Sequence, residues 1–80
     1  MHASLLVIDP SDYPDGTAAL DAAMRGNRAR ERDPLLPMCV LTEEGLLRAS
    51  QPRPVCATRI TLDDGRQFWR PQCFADEVQP

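Results

Sequence analysis

The apolar positions of this chain fall into short runs that turn-forming residues separate. Residues 4–8 are almost continuously apolar and Asp9-Pro10 ends the run, a pattern that predicts a short buried strand. Residues 9–16 follow and are rich in Asp, Pro and Gly, the residue types that favour turns. We therefore predict that the chain opens with one short strand and a loop.

One helix is predicted after this loop. Residues 18–25 are good helix formers, and Leu20 and Met24 lie four positions apart, which puts them on one helix face. Gly26-Asn27 is typical of a helix C-terminus. We therefore predict a helix of about two to three turns that packs on a sheet through a single apolar stripe.

Two hairpins are predicted in the second half of the chain. Apolar segments at 38–42 and 46–50 flank Glu43-Glu44-Gly45, which is typical of a three-residue hairpin loop that ends in Gly. Residues 55–70 repeat this arrangement around Asp63-Asp64-Gly65. These two patterns predict four further strands.

Proline-bounded segments separate and end these elements. Residues 28–37 form a charged linker between the helix and the first hairpin. Pro71 is expected to end the second hairpin, because proline cannot donate a backbone hydrogen bond. We expect a flexible acidic tail over residues 72–80.

Together the elements predict one small α+β domain over residues 1–80. Its expected form is a mostly antiparallel sheet of four to five strands with one short helix on one face, in the order β-α-β-β-β-β. The predicted core consists of the apolar residues on the inner faces: Leu5, Val7, Leu20, Met24, Leu41, Leu47, Ile60, Leu62 and Phe68.

The second hairpin carries a candidate partner-binding surface. A three-residue loop at 63–65 opposes Arg59 to Trp69 and sends Phe68 into the core, which leaves Trp69 outside; a two-residue loop at Asp64-Gly65 would instead bury Trp69. We favour the first register because its apolar face is more coherent. Trp and Arg are enriched at binding hot spots. The candidate partner-binding residues are those on the outer hairpin face and in both acidic turns: Trp69, Arg59, Gln67, Arg70, Asp63, Asp64, Glu43 and Glu44.

Composition narrows the class of protein. The 80 residues carry a formal net charge of −3, and all nine basic residues are Arg, which contacts carboxylates and phosphates in a bidentate manner. A net negative charge disfavours non-specific binding to nucleic acid. No apolar run approaches the ~18–20 residues of a membrane span, and the N-terminus lacks the basic region of a signal peptide. We therefore expect a cytoplasmic protein.

Residue types that bind metals or carry catalysis are sparse. Cys39, Cys56 and Cys73 include no close pair of the kind that structural zinc sites use, so we expect reduced thiols and no metal. A zinc site built from these three cysteines and His2 is the disfavoured alternative. Both pairs of adjacent carboxylates fall in predicted solvated turns, and no catalytic motif is present. We therefore expect neither an enzyme nor a cofactor.

Four arginines within eight residues form an alternative site, one for nucleic acid. Arg25, Arg28, Arg30 and Arg32 are placed to grip phosphates or an acidic partner. Two acidic residues dilute the cluster, and cations at a helix C-terminus also suit the helix dipole without any ligand.

These observations favour a non-enzymatic protein–protein interaction module. Small acidic chains without catalytic motifs are common among phage and mobile-element products that bind and occlude a host complex. The hypothesis is therefore such an inhibitor of a bacterial host complex, with CRISPR-type defence machinery included. The alternative is a small nucleic-acid-binding regulator that uses the arginine cluster. The expected partner is a protein complex rather than a membrane, and nucleic acid is not expected as the direct ligand.

Overall fold

Residues 4–78, which the computed structural model describes, form two helices and two small sheets. The mixed α+β class predicted from the sequence is confirmed, whereas the single sheet of four to five strands and the single helix are wrong. In chain order the elements are β1 (Leu5–Val7), α1 (Gly16–Arg32), β2 (Met38–Val40), α2 (Glu43–Ala49), β3 (Val55–Thr61) and β4 (Gln67–Phe74), with 3-10 turns at Pro10–Asp12 and Ala75–Val78.

The two sheets meet at one backbone bridge. β1 and β2 are parallel with α1 as their connection, and β3 and β4 form an antiparallel hairpin. Leu41, directly after β2, exchanges two backbone hydrogen bonds of 2.8 Å with Trp69 of β4. The strands therefore lie in the spatial order β1, β2, β4, β3.

Helix α1 runs past its predicted end at Gly26-Asn27 and continues to Arg32. Gly26 does not have the positive φ angle of a glycine cap, and its absent side chain serves packing instead. A Cβ atom there would lie 2.6 Å from Cys39 Sγ, so glycine permits the close approach of α1 to β2. The predicted linker at 28–37 is therefore wrong over its first half, which is helical.

Helix α2 replaces the hairpin predicted around Glu43-Glu44-Gly45, which is wrong. Thr42 is the N-cap, and its Oγ1 accepts a 3.1 Å hydrogen bond from the Gly45 N–H. Both glutamates lie in the first turn, where the helix dipole favours negative charge. Leu41 before the cap and Leu46 after it belong to the same apolar cluster, the pattern of a hydrophobic staple.

The second hairpin has the register favoured from the sequence. Arg59 opposes Trp69 and Ile60 opposes Phe68, and the loop at 63–65 ends in Gly65 with φ of 90°. Only glycine adopts this backbone region at little cost, so Gly65 sets the three-residue loop.

Pro71 does not end β4, contrary to the prediction. The strand continues to Phe74, and a register shift next to Ala57 leaves Gln72 without a partner on β3, as in a β-bulge. A bulge accommodates proline because the ladder of hydrogen bonds is already interrupted there. The segment predicted as a flexible tail thus begins with the end of β4. Its flexibility stays a prediction, and residues 79–80 lie outside the described residues.

The core lies between the two helices and the strands. Of the predicted core residues, Leu20, Met24, Leu41 and Phe68 are buried, and Leu5, Ile60 and Leu62 are half-buried. Val7 and Leu47 are exposed by 45% and 61%, because β1 is a short outermost strand and Leu47 belongs to a helix rather than a strand. The prediction also omitted buried residues: Ile8, Ala19, Ala23, Cys39, Val40, Ala49 and Phe74.

The C-terminal turn is tied back to the start of β3. Arg53 donates to Asp76 through Nε at 2.9 Å and Nη2 at 2.8 Å, and its guanidinium lies 3.8 Å above the Phe74 ring centre. These bonds hold the pKa of Asp76 below its ordinary value.

Within residues 4–78, no helix has the length and apolar character that crossing a membrane requires.

Candidate functional site

A cleft opens between α1, the start of β2 and the bulged part of β4. It has a volume of about 190 Å³. Met24, Met38 and Pro71 give it an apolar lining, and charged or amide side chains supply the remainder. Among the cavities within residues 4–78, this one brings together residues that the sequence analysis assigned to two separate sites.

Asn27 lines the cleft and joins α1 to β2. Its Oδ1 accepts from the Cys39 N–H at 2.7 Å, and its Nδ2 donates to the Cys39 carbonyl oxygen at 3.0 Å. The Asn27 amide thus takes the place of a strand at the edge of β2, two residues before β4 pairs with Leu41. Because these backbone groups are satisfied by a side chain, β2 and β4 need not pair here.

Three arginines line the cleft from two sides. Arg28 and Arg30 come from the last turns of α1, and Arg70 comes from β4. Arg30 is held in place by its Nε, which donates to the Leu36 carbonyl oxygen at 3.2 Å. The extension of α1 beyond Asn27 is what carries both helix arginines to this position.

Arg70 is oriented by the bulge residue. With the Gln72 side-chain oxygen facing Arg70, this oxygen accepts from Arg70 Nη2 at 3.0 Å and from Thr58 Oγ1 at 2.8 Å. Gln72 also lines the cleft. The β-bulge thus places an amide where it can fix a guanidinium at the cleft wall.

The cleft carries an excess of positive charge in an acidic chain. Glu31 is the one carboxylate in its lining, against the guanidiniums of Arg28, Arg30 and Arg70. Within residues 4–78 none of these three forms an ion pair. Other arginines in the same range do, each at an N···O distance of 2.8 Å: Arg25 with Asp21, Arg53 with Asp76 and Arg66 with Asp64.

The candidate residues at 25–32 therefore divide. Arg28 and Arg30 line the cleft, and Arg25 is paired with Asp21 one turn earlier on α1. Arg32 is exposed and lines a second, more open depression that α1 forms with Arg28, Ala29 and Glu31. On this helix Arg25, Arg28 and Arg32 are spaced i, i+3 and i+7 and share one face, whereas Arg30 projects from another side.

The outer hairpin residues divide in the same way. Arg59 and Gln67 are exposed, and Arg59 opposes Trp69. Trp69 is half-buried rather than fully outside, because its backbone pairs with Leu41, a fully buried core residue. Arg70, the next residue, lines the cleft, and its side chain projects from the opposite face of the hairpin to that of Trp69, because successive strand residues alternate between faces.

The two acidic segments lie on different elements. Asp63 and Asp64 are exposed at the hairpin tip, and bonds from the Arg66 backbone N–H and guanidinium lower the pKa of Asp64. Glu43 and Glu44 are exposed in the first turn of α2. The structure therefore does not join these carboxylates into one surface with the cleft.

The three cysteines are free thiols. Residues 4–78 contain no group of three or more Cys, His, Asp and Glu side chains that would hold a metal ion. His2, the fourth ligand of the disfavoured zinc alternative, lies outside the described residues. Cys39 is buried beside Gly26, and burial raises the pKa of its thiol. Cys56 and Cys73 oppose each other across β3 and β4.

The sequence analysis singled out all three cleft arginines and missed the two amides that shape the cleft. Asn27 was interpreted as part of a helix cap, because Gly-Asn has that meaning in most helices. Gln72 follows a proline in a sheet strand, which is itself a signal for a bulge.

Comparisons with known proteins found no match: no protein-family model matches the chain, and neither a curated protein nor a solved structure matches it.

Proposed function

We propose that this chain is a cytoplasmic, non-enzymatic binding module that takes up an acidic segment of a protein partner in the cleft between α1 and β4. The observation that carries the proposal is the set of three guanidiniums, from Arg28, Arg30 and Arg70, that line one cleft without carboxylate partners. Arg32, Arg48 and Arg59 likewise form no ion pair among the described residues, so the cleft is distinguished by three unpaired guanidiniums that line one cavity.

Carboxylates fit this cleft in chemistry and size. A guanidinium donates two parallel hydrogen bonds to a carboxylate, and such charged bonds are stronger than neutral ones. A cleft of about 190 Å³ accommodates one or two side chains. The apolar lining from Met24, Met38 and Pro71 would pack against the methylene groups of a bound Glu or Asp.

A protein partner is favoured over nucleic acid by the charge of the rest of the chain. The whole protein has a net charge of −3, although the cleft itself is basic. A duplex presents phosphates over a long surface, and a chain of net negative charge repels such a surface overall. A short acidic peptide segment needs only the cleft, whose lining has three guanidiniums against one carboxylate.

The exposed face of the hairpin is a second candidate contact surface. Trp69 and Arg59 oppose each other on the other face of β4 from Arg70, and we retain them with Gln67 as further contacts for a partner that also covers that face of the hairpin. Such a module would act by occupying an acidic surface that another molecule needs. This is the mode of action expected of a phage or mobile-element inhibitor that occludes a complex of its bacterial host.

The test is a fluorescence anisotropy titration of a labelled peptide of alternating Glu and Asp residues, with a labelled DNA duplex titrated in parallel. We expect the peptide to bind, and Arg28→Gln and Arg70→Gln each to weaken binding by about tenfold or more, since each removes a charged hydrogen bond. Arg25→Gln is the matched control, because Arg25 lies on the same helix and is paired with Asp21.

Equal losses in all three variants would show that binding follows total charge and would contradict the proposal. Tighter binding of the duplex than of the peptide, with Arg25, Arg28 and Arg32 all required, would instead favour the nucleic-acid regulator.

A further inference from the structure

Two cysteines that are distant in the sequence face each other across the hairpin. Cys56 of β3 and Cys73 of β4 are directly opposed in the strand register. Directly opposed residues of an antiparallel pair project their side chains from the same face of the sheet. Both thiols are free; Cys56 is exposed and Cys73 is half-buried.

The backbone spacing at this position suits a disulfide. Opposed residues of an antiparallel pair have Cα atoms about 4.5–5.5 Å apart, and disulfides span roughly 4.4–6.8 Å between Cα atoms. The two thiols also interact: the pKa of Cys73 is raised, first by desolvation and then by the neighbouring Cys56 thiol. The register shift next to Cys56 interrupts the ladder beside this pair, so the strands can adjust there without breaking a continuous row of bonds.

We propose that Cys56 and Cys73 form a dithiol site that small-molecule disulfides oxidise to a cross-strand disulfide. This inference does not depend on the function proposed for the cleft. The oxidised hairpin would hold the end of β4 against β3, where Phe74 enters the core and Arg53 stacks on its ring.

The reaction is a balanced thiol–disulfide exchange with a glutathione-type disulfide. The exposed Cys56 thiolate attacks one sulfur of the oxidant, which forms a mixed disulfide and releases one small thiol. The Cys73 thiolate then attacks Cys56 Sγ, which forms the intramolecular bond and releases the second small thiol. The protein loses two electrons and two protons, and the oxidant is reduced to two thiols.

Cys39 has no part in this site. It is 5% exposed, belongs to the apolar core and lies against Gly26 of α1. A small-molecule disulfide therefore cannot reach it in the folded protein. Its thiol serves as an internal control for the experiment, because it should stay reduced while the other two react.

The experiment equilibrates the reduced full chain with mixtures of oxidised and reduced glutathione, quenches the exchange with acid, and alkylates the free thiols in denaturant, so that buried Cys39 also reacts. The products are then analysed by mass spectrometry. We expect a monomer that has lost two hydrogen atoms, carries one alkyl group at Cys39, and yields a proteolytic fragment linking Cys56 to Cys73. The melting temperature should rise by about 10 °C or more, since the bond closes a loop of intermediate length.

Two variants separate ring closure from general reactivity. Cys73→Ser should stop at the mixed disulfide on Cys56, whereas Cys39→Ala should form the cross-strand bond as the wild type does. Alkylation of all three thiols under the most oxidising mixture would overturn the proposal. So would disulfide-linked dimers through Cys56, or a mixed glutathione adduct in the wild type that never closes.

Discussion

Gly26→Ala tests whether α1 packs against β2 in the way the structure shows. Alanine stabilises a helix interior by about 1 kcal/mol relative to glycine. The added Cβ would lie 2.6 Å from Cys39 Sγ, well inside the roughly 3.5–4.0 Å at which such atoms attract. Overpacking of this kind typically costs about 1–3 kcal/mol, so the net change should be a destabilisation of about 0–2 kcal/mol.

Removal of the Cys39 sulfur should change the effect of Gly26→Ala on stability from destabilising to stabilising. Cys39→Ala removes the Sγ atom, which is the atom that would clash with a methyl group at position 26. The Cβ atom of residue 39 that remains would lie 3.9 Å from this methyl carbon, which is ordinary contact. In that background Gly26→Ala should stabilise the protein by about 1 kcal/mol through helix propensity. The double-mutant cycle therefore predicts a coupling of about 1–3 kcal/mol between positions 26 and 39.

The assay is urea unfolding of the four proteins, followed by far-ultraviolet circular dichroism and by the fluorescence of the single tryptophan. Ala22→Gly, on the same helix, calibrates the propensity term and should cost about the same in both backgrounds. Equal destabilisation by Gly26→Ala in the two backgrounds would refute the reasoning. That result is what a glycine cap with positive φ would give, and it would end α1 before Arg28.

Further predictions concern charge, core and loop. An NMR titration should find the pKa of Asp76 below its ordinary value, and Arg53→Gln should raise that pKa. Because the pKa of Asp76 is lower in the folded than in the unfolded protein, the pair stabilises the fold at neutral pH, and this stabilisation is lost as the pH falls through the lowered pKa. In urea unfolding, Leu20→Ala should cost about 2–5 kcal/mol, whereas Leu47→Ala at an exposed position should change stability by less than about 1 kcal/mol; equal costs would contradict the packing of α2. Gly65→Ala should cost about 1–2 kcal/mol through its backbone conformation, since no atom would contact the added Cβ, and no loss would exclude the three-residue loop.

Local signals predicted part of this fold. The Leu20 and Met24 spacing placed the buried stripe of α1, and Asp63-Asp64-Gly65 predicted the observed hairpin register. The wrong predictions arose at a glycine and a proline, because each of these residue types occurs in two different structural settings. Gly26 serves close packing rather than a helix end, and Pro71 lies beside a bulge rather than at a strand end.

The sequence likewise predicted the residues of the candidate site but not their arrangement. Arg28, Arg30 and Arg70 were each singled out from residue chemistry, but the sequence analysis placed them in separate surfaces. Their meeting depends on α1 continuing past Asn27 and on β4 continuing past Pro71. Both continuations rest on tertiary contacts, which no local pattern contains.

The central claim is that Arg28, Arg30 and Arg70 bind an acidic segment together. The most direct measurement follows the Nε–Hε NMR resonances of the arginine side chains in the full chain during titration with the Glu and Asp peptide. We expect these three resonances to shift in parallel along one binding curve, while those of Arg25 and Arg53, which have intramolecular carboxylate partners, stay in place. Shifts confined to the exposed Arg59, or shared equally by every arginine, would contradict the assignment of the cleft as the binding site.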